Sequence, residues 1–363
     1  MIPIRIDGEY NTAKVFTQPD SIEDYATAQI KMICDQPVVE SYKDIVVMPD
    51  VHPGKIGPIG LVMHGRSESP ILPGLIGPDI GCGITMFPIK GDMDFQKLDR
   101  VINAYIPSGT AIRKKPSRFV SSANAYNWIG TLGGGNHFIE IDKDDIGQYY
   151  LIIHSGSRGA GAAAYKKYMD KGHKELKEKE IPYELTYLTG DLKEEYMNDV
   201  EELSRLAYIN RDTIGREIIS EMKWKYNGNT IDTIHNFLEF DNTGEFILRK
   251  GAQSAYLDQD ILIPISMAEG TLLCKGKDNS KWLCSAPHGS GRVMSRSDVS
   301  KTYTLKNFKE SMKDVYSPSI SRKTLDECPM AYRGKEYIEE AIKDTAIVIR
   351  HFKPVYNFKA GGE

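Results

Sequence analysis

The sequence has 363 residues, of which 40% are hydrophobic and 26% are charged, as in ordinary globular proteins. This composition excludes a disordered tail, a collagen and a small disulfide-stabilised scaffold, and the length predicts two domains or one large one. The net charge of −4, from 46 basic and 50 acidic residues, argues against a protein that binds nucleic acid through bulk positive charge.

The N-terminal half shows the patterns of short helices and strands. Residues 21–34 have helical spacing, and Ser21 and Asp24 have the spacing of a capping box at its start. Residues 44–48 form an apolar, β-branched run that predicts a buried strand. Three further elements are expected in this half: strands over residues 83–89 and 149–153, and a helix over residues 94–105.

The C-terminal half adds a long helix and a group of short strands. The longest helical pattern runs from about residue 194 to 225, with a break predicted near Asn210. Apolar runs between residues 246 and 286 alternate with Gly, Lys and Asp, which predicts several strands joined by tight turns. A last helix is expected over residues 335–351 and a final strand over residues 354–359.

These elements predict an α+β fold built as a single mixed domain. The domain is expected to span residues 1–363 and to carry a helical insertion around residues 160–225. Neither an internal repeat nor a low-complexity linker divides the chain.

The N-terminus and the cysteines bear on the cellular compartment. The first residues lack the charged and then apolar pattern of a signal peptide, and no apolar run reaches the roughly 18 residues of a membrane span. Five scattered cysteines without a Cys-x-x-Cys pair favour reduced thiols, although Cys274 and Cys284 could also lie on neighbouring strands. We therefore expect a cytoplasmic protein that does not enter a membrane.

Four glycine-rich turns carry side chains that can bind metals or act as nucleophiles. They cover residues 77–83, 133–137, 154–159 and 288–292. Glycine lets the backbone approach a ligand closely and adopt positive φ. Four such turns in one chain are hard to explain by folding alone, and they predict a functional site.

One group of side chains from these turns suits divalent metal ions. Asp79 and Cys82 share a turn, and His137, His154 and His235 follow or end apparent strands or turns. A thiolate can bridge two ions, while carboxylate and imidazole suit manganese or zinc. The set predicts a site for one or two metals, whereas any one member alone is typical of a buried side chain with a single hydrogen bond.

Two of the four glycine-rich turns have two interpretations each. The turn at residues 154–159 could hold phosphate at a helix N-terminus with help from Arg158, or it could be a simple helix entry. His288, flanked by Arg292, could attack a nucleotide phosphate, or it could be an ordinary loop histidine. The three histidines without a glycine-rich context are expected to be structural or exposed: His64, His173 and His351.

Taken in order, the motifs strongly resemble those of the RtcB-type RNA ligases. The resemblance extends from about residue 44 to residue 359, nearly the whole chain. The matching stretches are 48–55 (MPDVHPGK), 79–83 (DIGCG), 132–141 (LGGGNHFIEI), 154–159 (HSGSRG), 235–236 (HN) and 288–297 (HGSGRVMSRS).

The resemblance implies an enzyme that depends on GTP and on two Mn²⁺ ions. It would join an RNA 3′-phosphate or 2′,3′-cyclic phosphate to a 5′-hydroxyl, in RNA repair or tRNA splicing, with GMP carried on His288. It also implies β-sheets around a central metal cleft and an archease-like activator as a partner. Five residues match the manganese ligands, with the Cys82 thiolate bridging the ions: Asp79, Cys82, His137, His154 and His235.

The resemblance also assigns a larger set of residues to the guanine nucleotide. They are Asn136, His137, Phe138, Ile139, Glu140, His235, Asn236, Pro264, Ile265, Ser266, Met267, Thr271, His288, Gly289, Ser290, Gly291 and Lys359. The chain departs from the family at residues 264–268, where Pro-Ile-Ser-Met-Ala replaces Pro-Gly-Ser-Met-Gly. A catalytically altered paralogue that binds RNA ends or GTP, or a metal-dependent phosphohydrolase, is therefore the alternative, and the retained His288 favours the ligase.

Overall fold

The computed structural model describes residues 2–226 and 228–360. In these ranges the strands are β1 Ile4–Asp7, β2 Thr12–Val15, β3 Tyr42–His52, β4 Ile59–Gly65, β5 Gly83–Lys90, β6 Phe138–Lys143, β7 Tyr149–Ser155, β8 Lys225–Tyr226, β9 Ile231–Ile234, β10 Asn236–Phe240, β11 Phe246–Lys250, β12 Ala252–Ser254, β13 Asp260–Ser266, β14 Gly270–Gly276, β15 Ser285–Pro287 and β16 Ala346–Lys359. The α-helices are α1 Asp24–Cys34, α2 Phe95–Tyr105, α3 Arg158–Glu175, α4 Gly190–Met222, α5 Arg296–Thr302, α6 Leu305–Ser311 and α7 Lys335–Ala341.

Most of the strands form two sheets. The first has the order β1-β2-β3-β4-β11-β10, and only the β2–β3 pair in it is parallel. The second has the order β13-β14-β16-β6-β7-β5-β8, with β9 also paired to β5. Strands β12 and β15 pair with each other. The mixed α+β class predicted from the sequence is confirmed.

Helix α4 connects the apolar cores under the two sheets. Its N-terminal half contributes Tyr196 and Val200 to the core beneath the first sheet. Its C-terminal half contributes Ile214 and Ile218 to the core beneath the second sheet. The 33-residue helix is continuous, so the break predicted near Asn210 is wrong. Asn210 is buried between the two halves, where its side chain accepts hydrogen bonds from the backbone N–H groups of Gly130 and Thr131 at 2.8 and 3.1 Å.

The C-terminal elements differ from the prediction. The helix expected over residues 335–351 ends at Ala341, and residues 346–359 form one long strand instead. Ile347, Val348 and Ile349 are β-branched, and β16 finds hydrogen-bonding partners on both sides in β14 and β6. Tertiary pairing therefore overrides the helical spacing, and the strand predicted over residues 354–359 is the second half of β16.

The other N-terminal predictions agree with the structure apart from their boundaries. Helix α1 begins at Asp24 after the N-cap Glu23, which makes no side-chain cap, so the capping box predicted for Ser21 is absent. Strand β3 continues past Met48 to His52 and takes the buried Asp50 into the sheet. The expected elements over residues 83–89, 94–105 and 149–153 are found as β5, α2 and β7.

Helices α3 and α4 occupy most of the predicted helical region at residues 160–225.

The state of the cysteines and the length of the helices bear on the predicted compartment. All five cysteines are free thiols, as expected. Among the helices in the described part of the chain, none combines the length and apolar character needed to cross a membrane.

Candidate functional site

The register of the second sheet brings distant parts of the chain to one place. Cys82 directly precedes β5, His154 lies near the end of β7, and His235 lies between β9 and β10. Strand β7 pairs with β5 on one side and with β6 on the other, so that His154 lies opposite both Ile84 and Phe138. The side chains at the ends of these neighbouring strands therefore meet at one edge.

Five predicted ligands meet at this edge. The Sγ atom of Cys82 lies 3.3 Å from Nε2 of His154 and 3.5 Å from Nε2 of His137. The Nε2 atom of His137 is 3.1 Å from Oδ2 of Asp79, and Nε2 of His154 is 3.4 Å from Nε2 of His235. The ligand atoms form two groups that share Cys82, one with Asp79 and His137 and one with His154 and His235. We refer to these five residues as the five-ligand cluster.

The hydrogen bonds of two histidines fix which ring nitrogen faces the cluster. Nδ1 of His137 lies 2.9 Å from the carbonyl oxygen of Leu132, and Nδ1 of His154 lies 3.2 Å from that of Asn136. A carbonyl only accepts, so each Nδ1 carries the proton and donates it. Nε2 is therefore the nitrogen that can exchange a proton for a cation, which is the usual arrangement of metal-binding histidines.

Burial sets the protonation states of the cluster. It lowers the pKa of His154 and of His235 well below the ordinary value, so both are neutral imidazoles at pH 7. It raises the pKa of the Cys82 thiol well above the ordinary value, whereas neighbouring His137 lowers the pKa of Asp79 in spite of burial. Neutral imidazoles, a carboxylate and a thiol that a cation would deprotonate are donors that fit borderline divalent ions.

Two glycines in the predicted turns are required by close approach. A Cβ atom at Gly156 would lie 2.1 Å from Oδ1 of Asp79. A Cβ at Gly133, which has φ of +93°, would lie 2.1 Å from Nη1 of Arg158 and 2.6 Å from Nδ1 of His137. The turn at residues 154–159 does connect a strand to a helix, because β7 ends at Ser155 and α3 begins at Arg158.

His288 lies beside the cluster and is held by a buried carboxylate. Its Nδ1 is 2.7 Å from Oδ2 of Asp50, and its backbone N–H donates to the same oxygen at 3.2 Å. Asp50 is fully buried, and the His288 ring centroid is 4.8 Å from that of His235. Asp50 lies in the 48–55 stretch, but no role was predicted for it from the sequence. The sequence feature that could have identified it is a carboxylate just after an apolar strand run, because a buried carboxylate needs a buried partner.

A cavity opens on the other side of His288. Most of the predicted nucleotide residues line it: Asn136, Phe138, Glu140, Pro264, Ile265, Ser266, Met267, His288, Gly289, Ser290, Gly291 and Lys359. Asp79, Cys82, His235 and Asn236 line the adjoining cavity, to which Asn136 and His288 also contribute. The side chain of Ile139 packs in the apolar core and that of Thr271 is fully buried in β14. Neither is among the residues that line these two cavities.

The departure at residues 264–268 places one new residue, Ile265, in the lining of this cavity. Ile265, which replaces a glycine of the family motif, is 2% exposed and belongs to an apolar core with Leu272 and Ile338. Ala268, at the second replaced glycine, packs beside a separate apolar cluster. Both added side chains are therefore accommodated mainly by apolar packing.

Buried charges beneath the cavity hold its polar side chains in place. Glu140 accepts a hydrogen bond from Nδ2 of Asn357 at 2.5 Å, and burial raises the pKa of Glu140 to about 7. Lys359 forms an ion pair with Glu327, which is 2% exposed. Although burial raises the pKa of Glu327, Lys359 and Arg296 outweigh it and lower this pKa to about 2. No role was predicted from the sequence for Asn357 or Arg296, whereas Glu327 lies in a segment, residues 326–332, that resembles a nucleotide-contacting stretch of the family.

The Glu327 ion pair predicts a stability that depends on pH. The pKa of Glu327 is about 2 in the fold and near the ordinary 4.5 when unfolded, so its contribution is complete above pH 4.5 and is lost as pH falls towards 2. Glu327→Gln should therefore lower the free energy of unfolding at pH 7 by on the order of 3 kcal/mol. Denaturant titrations should show the same difference at pH 7 and pH 5 and a smaller one at pH 3. A difference that is constant across pH, or an equal loss in the exposed control Glu336→Gln, would contradict the assignment.

Comparison with known proteins identifies relatives across nearly the whole chain. The family model described as tRNA-splicing ligase RtcB matches residues 29–121 and 102–360. RNA-splicing ligase RtcB of Escherichia coli strain K12 is 28% identical over 396 residues, covering 94% of this chain and 96% of that protein. RNA-splicing ligase RtcB2 of Escherichia coli strain ATCC 25922 is 27% identical over 376 residues, covering 94% and 93%. tRNA-splicing ligase RtcB of Nanoarchaeum equitans is 23% identical over 457 residues, covering 98% and 94%.

Proposed function

This chain belongs to the RtcB family, and from that membership we propose that it is a GTP- and manganese-dependent RNA ligase. It joins an RNA 3′-phosphate or 2′,3′-cyclic phosphate end to a 5′-hydroxyl end. The relatives named as RNA-splicing and tRNA-splicing ligases support this reaction class.

The position of His288 is the observation that carries the proposal. Its ring lies where the cavity meets the five-ligand cluster, and Asp50 holds its Nδ1 at 2.7 Å. Because the Asp50 carboxylate accepts the Nδ1 proton, Nε2 is left as the nucleophilic nitrogen. A phosphohydrolase or a silent binder has no need of a histidine oriented in this way.

The five-ligand cluster would hold the two divalent ions. Asp79, Cys82 and His137 would bind one, and Cys82, His154 and His235 the other. When bound, the ions supply Lewis-acid stabilisation of charge on phosphate oxygens. Burial and the neutral imidazoles of the cluster suit ions with mixed oxygen, nitrogen and sulfur coordination.

The proposed reaction of a 3′-phosphate end has three chemical steps, and His288 forms the covalent bond to GMP in the first. Nε2 of His288 attacks the α-phosphorus of GTP, the bond from that phosphorus to the β-phosphate oxygen breaks, and pyrophosphate leaves. A 2′,3′-cyclic phosphate end is first opened by water, which breaks the bond from phosphorus to O2′ and leaves a 3′-phosphate and a 2′-hydroxyl. An RNA 3′-phosphate oxygen next attacks the α-phosphorus, and the bond to Nε2 of His288 breaks. The RNA 5′-hydroxyl oxygen finally attacks the RNA 3′-phosphorus, its proton passes to solvent, and GMP leaves. Asp50 stabilises the positive charge that develops on the imidazole in the first step.

The cavity provides groups that suit a guanine nucleotide. Glu140 and Lys359 offer an acceptor and a cationic donor within one wall, and Phe138 offers an aromatic ring beside them. Guanine presents both N–H donors and carbonyl acceptors, so this acceptor and this donor complement groups of the base. Ser290 and the adjacent glycines bring backbone N–H groups to the same cavity.

Asp50→Asn tests the positioning of His288. The variant should slow the labelling of the protein by α-labelled GTP by at least about 100-fold, because an amide no longer stabilises the imidazolium or fixes the tautomer. The rate of label incorporation into the protein in the presence of Mn²⁺ is the measurement. Asp44→Asn, on the same strand but paired with Lys14 near the surface, is the matched control. Labelling of Asp50→Asn at the wild-type rate would remove Asp50 from the proposed mechanism.

A further inference from the structure

We infer that residues 110–128, called here the 110–128 loop, form a binding surface for single-stranded RNA beside the five-ligand cluster. The inference rests on the proposed ligase function and adds a substrate-binding surface to it. The sequence from residue 106 to 139 contains four basic residues and no Asp or Glu, in a chain of net charge −4. A polyanion would therefore meet a local positive surface here despite the overall acidity.

Two of the basic residues fix the loop and two are left to face solvent. Arg113 pairs with Glu217 at 2.8 Å and Arg118 pairs with Glu221 at 2.9 Å, which fastens the loop to helix α4. Lys114 and Lys115 are exposed, and neither forms an ion pair with any residue that the structure describes. Their charges are available to phosphates of a bound strand.

Two aromatic rings lie on the same loop. Tyr126 is 48% exposed, and its ring stacks on that of the half-buried Trp128 with centroids 6.1 Å apart and an interplanar angle of 20°. With the exposed Ile112 they line a shallow cavity that also includes Arg158. Exposed aromatic rings and cations on one loop are the combination with which proteins bind unpaired bases by stacking.

Arg158 connects this cavity to the five-ligand cluster. Its Nη2 donates to the carbonyl oxygen of Gly109 at 2.6 Å, which places the guanidinium at the base of the loop. A Cβ atom at Gly133 would touch both this guanidinium and Nδ1 of His137. The 110–128 loop therefore lies behind His137, on the side of that ligand opposite the cluster. Bases within a duplex are already stacked, so the surface favours a single strand.

The test measures RNA affinity in the absence of GTP. A fluorescent 5′-hydroxyl oligoribonucleotide of about 12 nucleotides is titrated with the full chain and followed by anisotropy. Trp128→Ala and Tyr126→Ala should each raise Kd by about 5-fold or more, whereas Trp128→Phe and Tyr126→Phe should bind nearly as wild type. Lys114→Ala combined with Lys115→Ala should reduce the slope of log Kd against log salt by about 1. Tyr183→Ala, an exposed tyrosine outside the loop, is the control.

Three results of the binding titrations would overturn the inference, and a competition experiment provides a fourth. The three are a Kd for Trp128→Ala within twofold of wild type, failure of Trp128→Phe to recover affinity, and equal binding of a duplex of the same length with equal loss in the variants. Competition by an acidic peptide but not by unlabelled RNA would assign the surface to a protein partner and would also overturn it. Wild-type protein that binds RNA through the loop but takes no label from GTP would refute the proposed ligase and leave the RNA surface intact.

Discussion

Replacing His288 by alanine is expected to abolish covalent labelling of the protein by α-labelled GTP, and with it the joining of RNA ends. The variant removes the only protein atom proposed to bond to the α-phosphorus, so labelling should fall by at least about 10³-fold. The neighbours that orient the ring, Asp50 and His235, stay in place. The label in wild type should be stable to alkali and labile to acid, because a histidine-linked phosphoramidate has that stability.

The design of this experiment separates the three candidate functions. His173→Ala, on helix α3 and outside the five-ligand cluster, is the matched control and should label normally. Label on His288→Ala equal to that on wild type would refute the covalent ligase. Wild type that takes no label but releases phosphate from RNA ends would indicate the phosphohydrolase. Wild type that binds GTP or RNA without label or release would indicate the silent paralogue.

Replacing Cys82 by alanine is expected to remove both metal ions at once. Its Sγ atom belongs to both groups of ligand atoms, 3.3 Å from Nε2 of His154 and 3.5 Å from Nε2 of His137. Losing a shared bridging ligand weakens both sites, whereas losing a ligand of one group weakens one site first. Elemental analysis after Mn²⁺ loading and dialysis should therefore find about two ions per wild-type chain and close to none in Cys82→Ala.

Two further variants sharpen the metal measurement. Cys274→Ala removes an equally buried thiol from an apolar core and should keep the full metal content. His235→Ala removes a ligand from one group only, so its first loss should be about one ion. Unchanged manganese in Cys82→Ala, or an equal loss in Cys274→Ala, would remove Cys82 from the proposed site.

The secondary structure was predicted well where one local signal dominated. The strands over residues 83–89 and 149–153 were found because their apolar runs and their sheet environment agree. Asn210 and residues 346–351 were misjudged because neighbours distant in sequence decided their conformation. Asn210 is accommodated in a continuous helix by the backbone of Gly130 and Thr131, and β16 is a strand because β14 and β6 flank it.

The overall charge of the chain limits nucleic-acid binding less than it does when the sequence is considered without the structure. A net charge of −4 excludes nucleic-acid binding only where that binding depends on bulk charge. The 110–128 loop carries its basic residues without acidic neighbours in the sequence, yet α4 supplies Glu217 and Glu221 to two of them. Only the folded chain distinguishes cations that hold the loop from cations that face solvent.

The sequence was enough to pick out candidate site residues, since metal-binding and nucleophilic atoms come with residue identity and glycine turns mark close approach of the backbone. It therefore identified Asp79, Cys82, three histidines and His288 as candidates. The tertiary structure alone decided which atoms meet. His288 and Asp50 are separated by 238 positions in the chain, and Cys82 and His154 by 72. Contacts across such distances depend on sheet register and strand order, which local patterns along the chain do not specify.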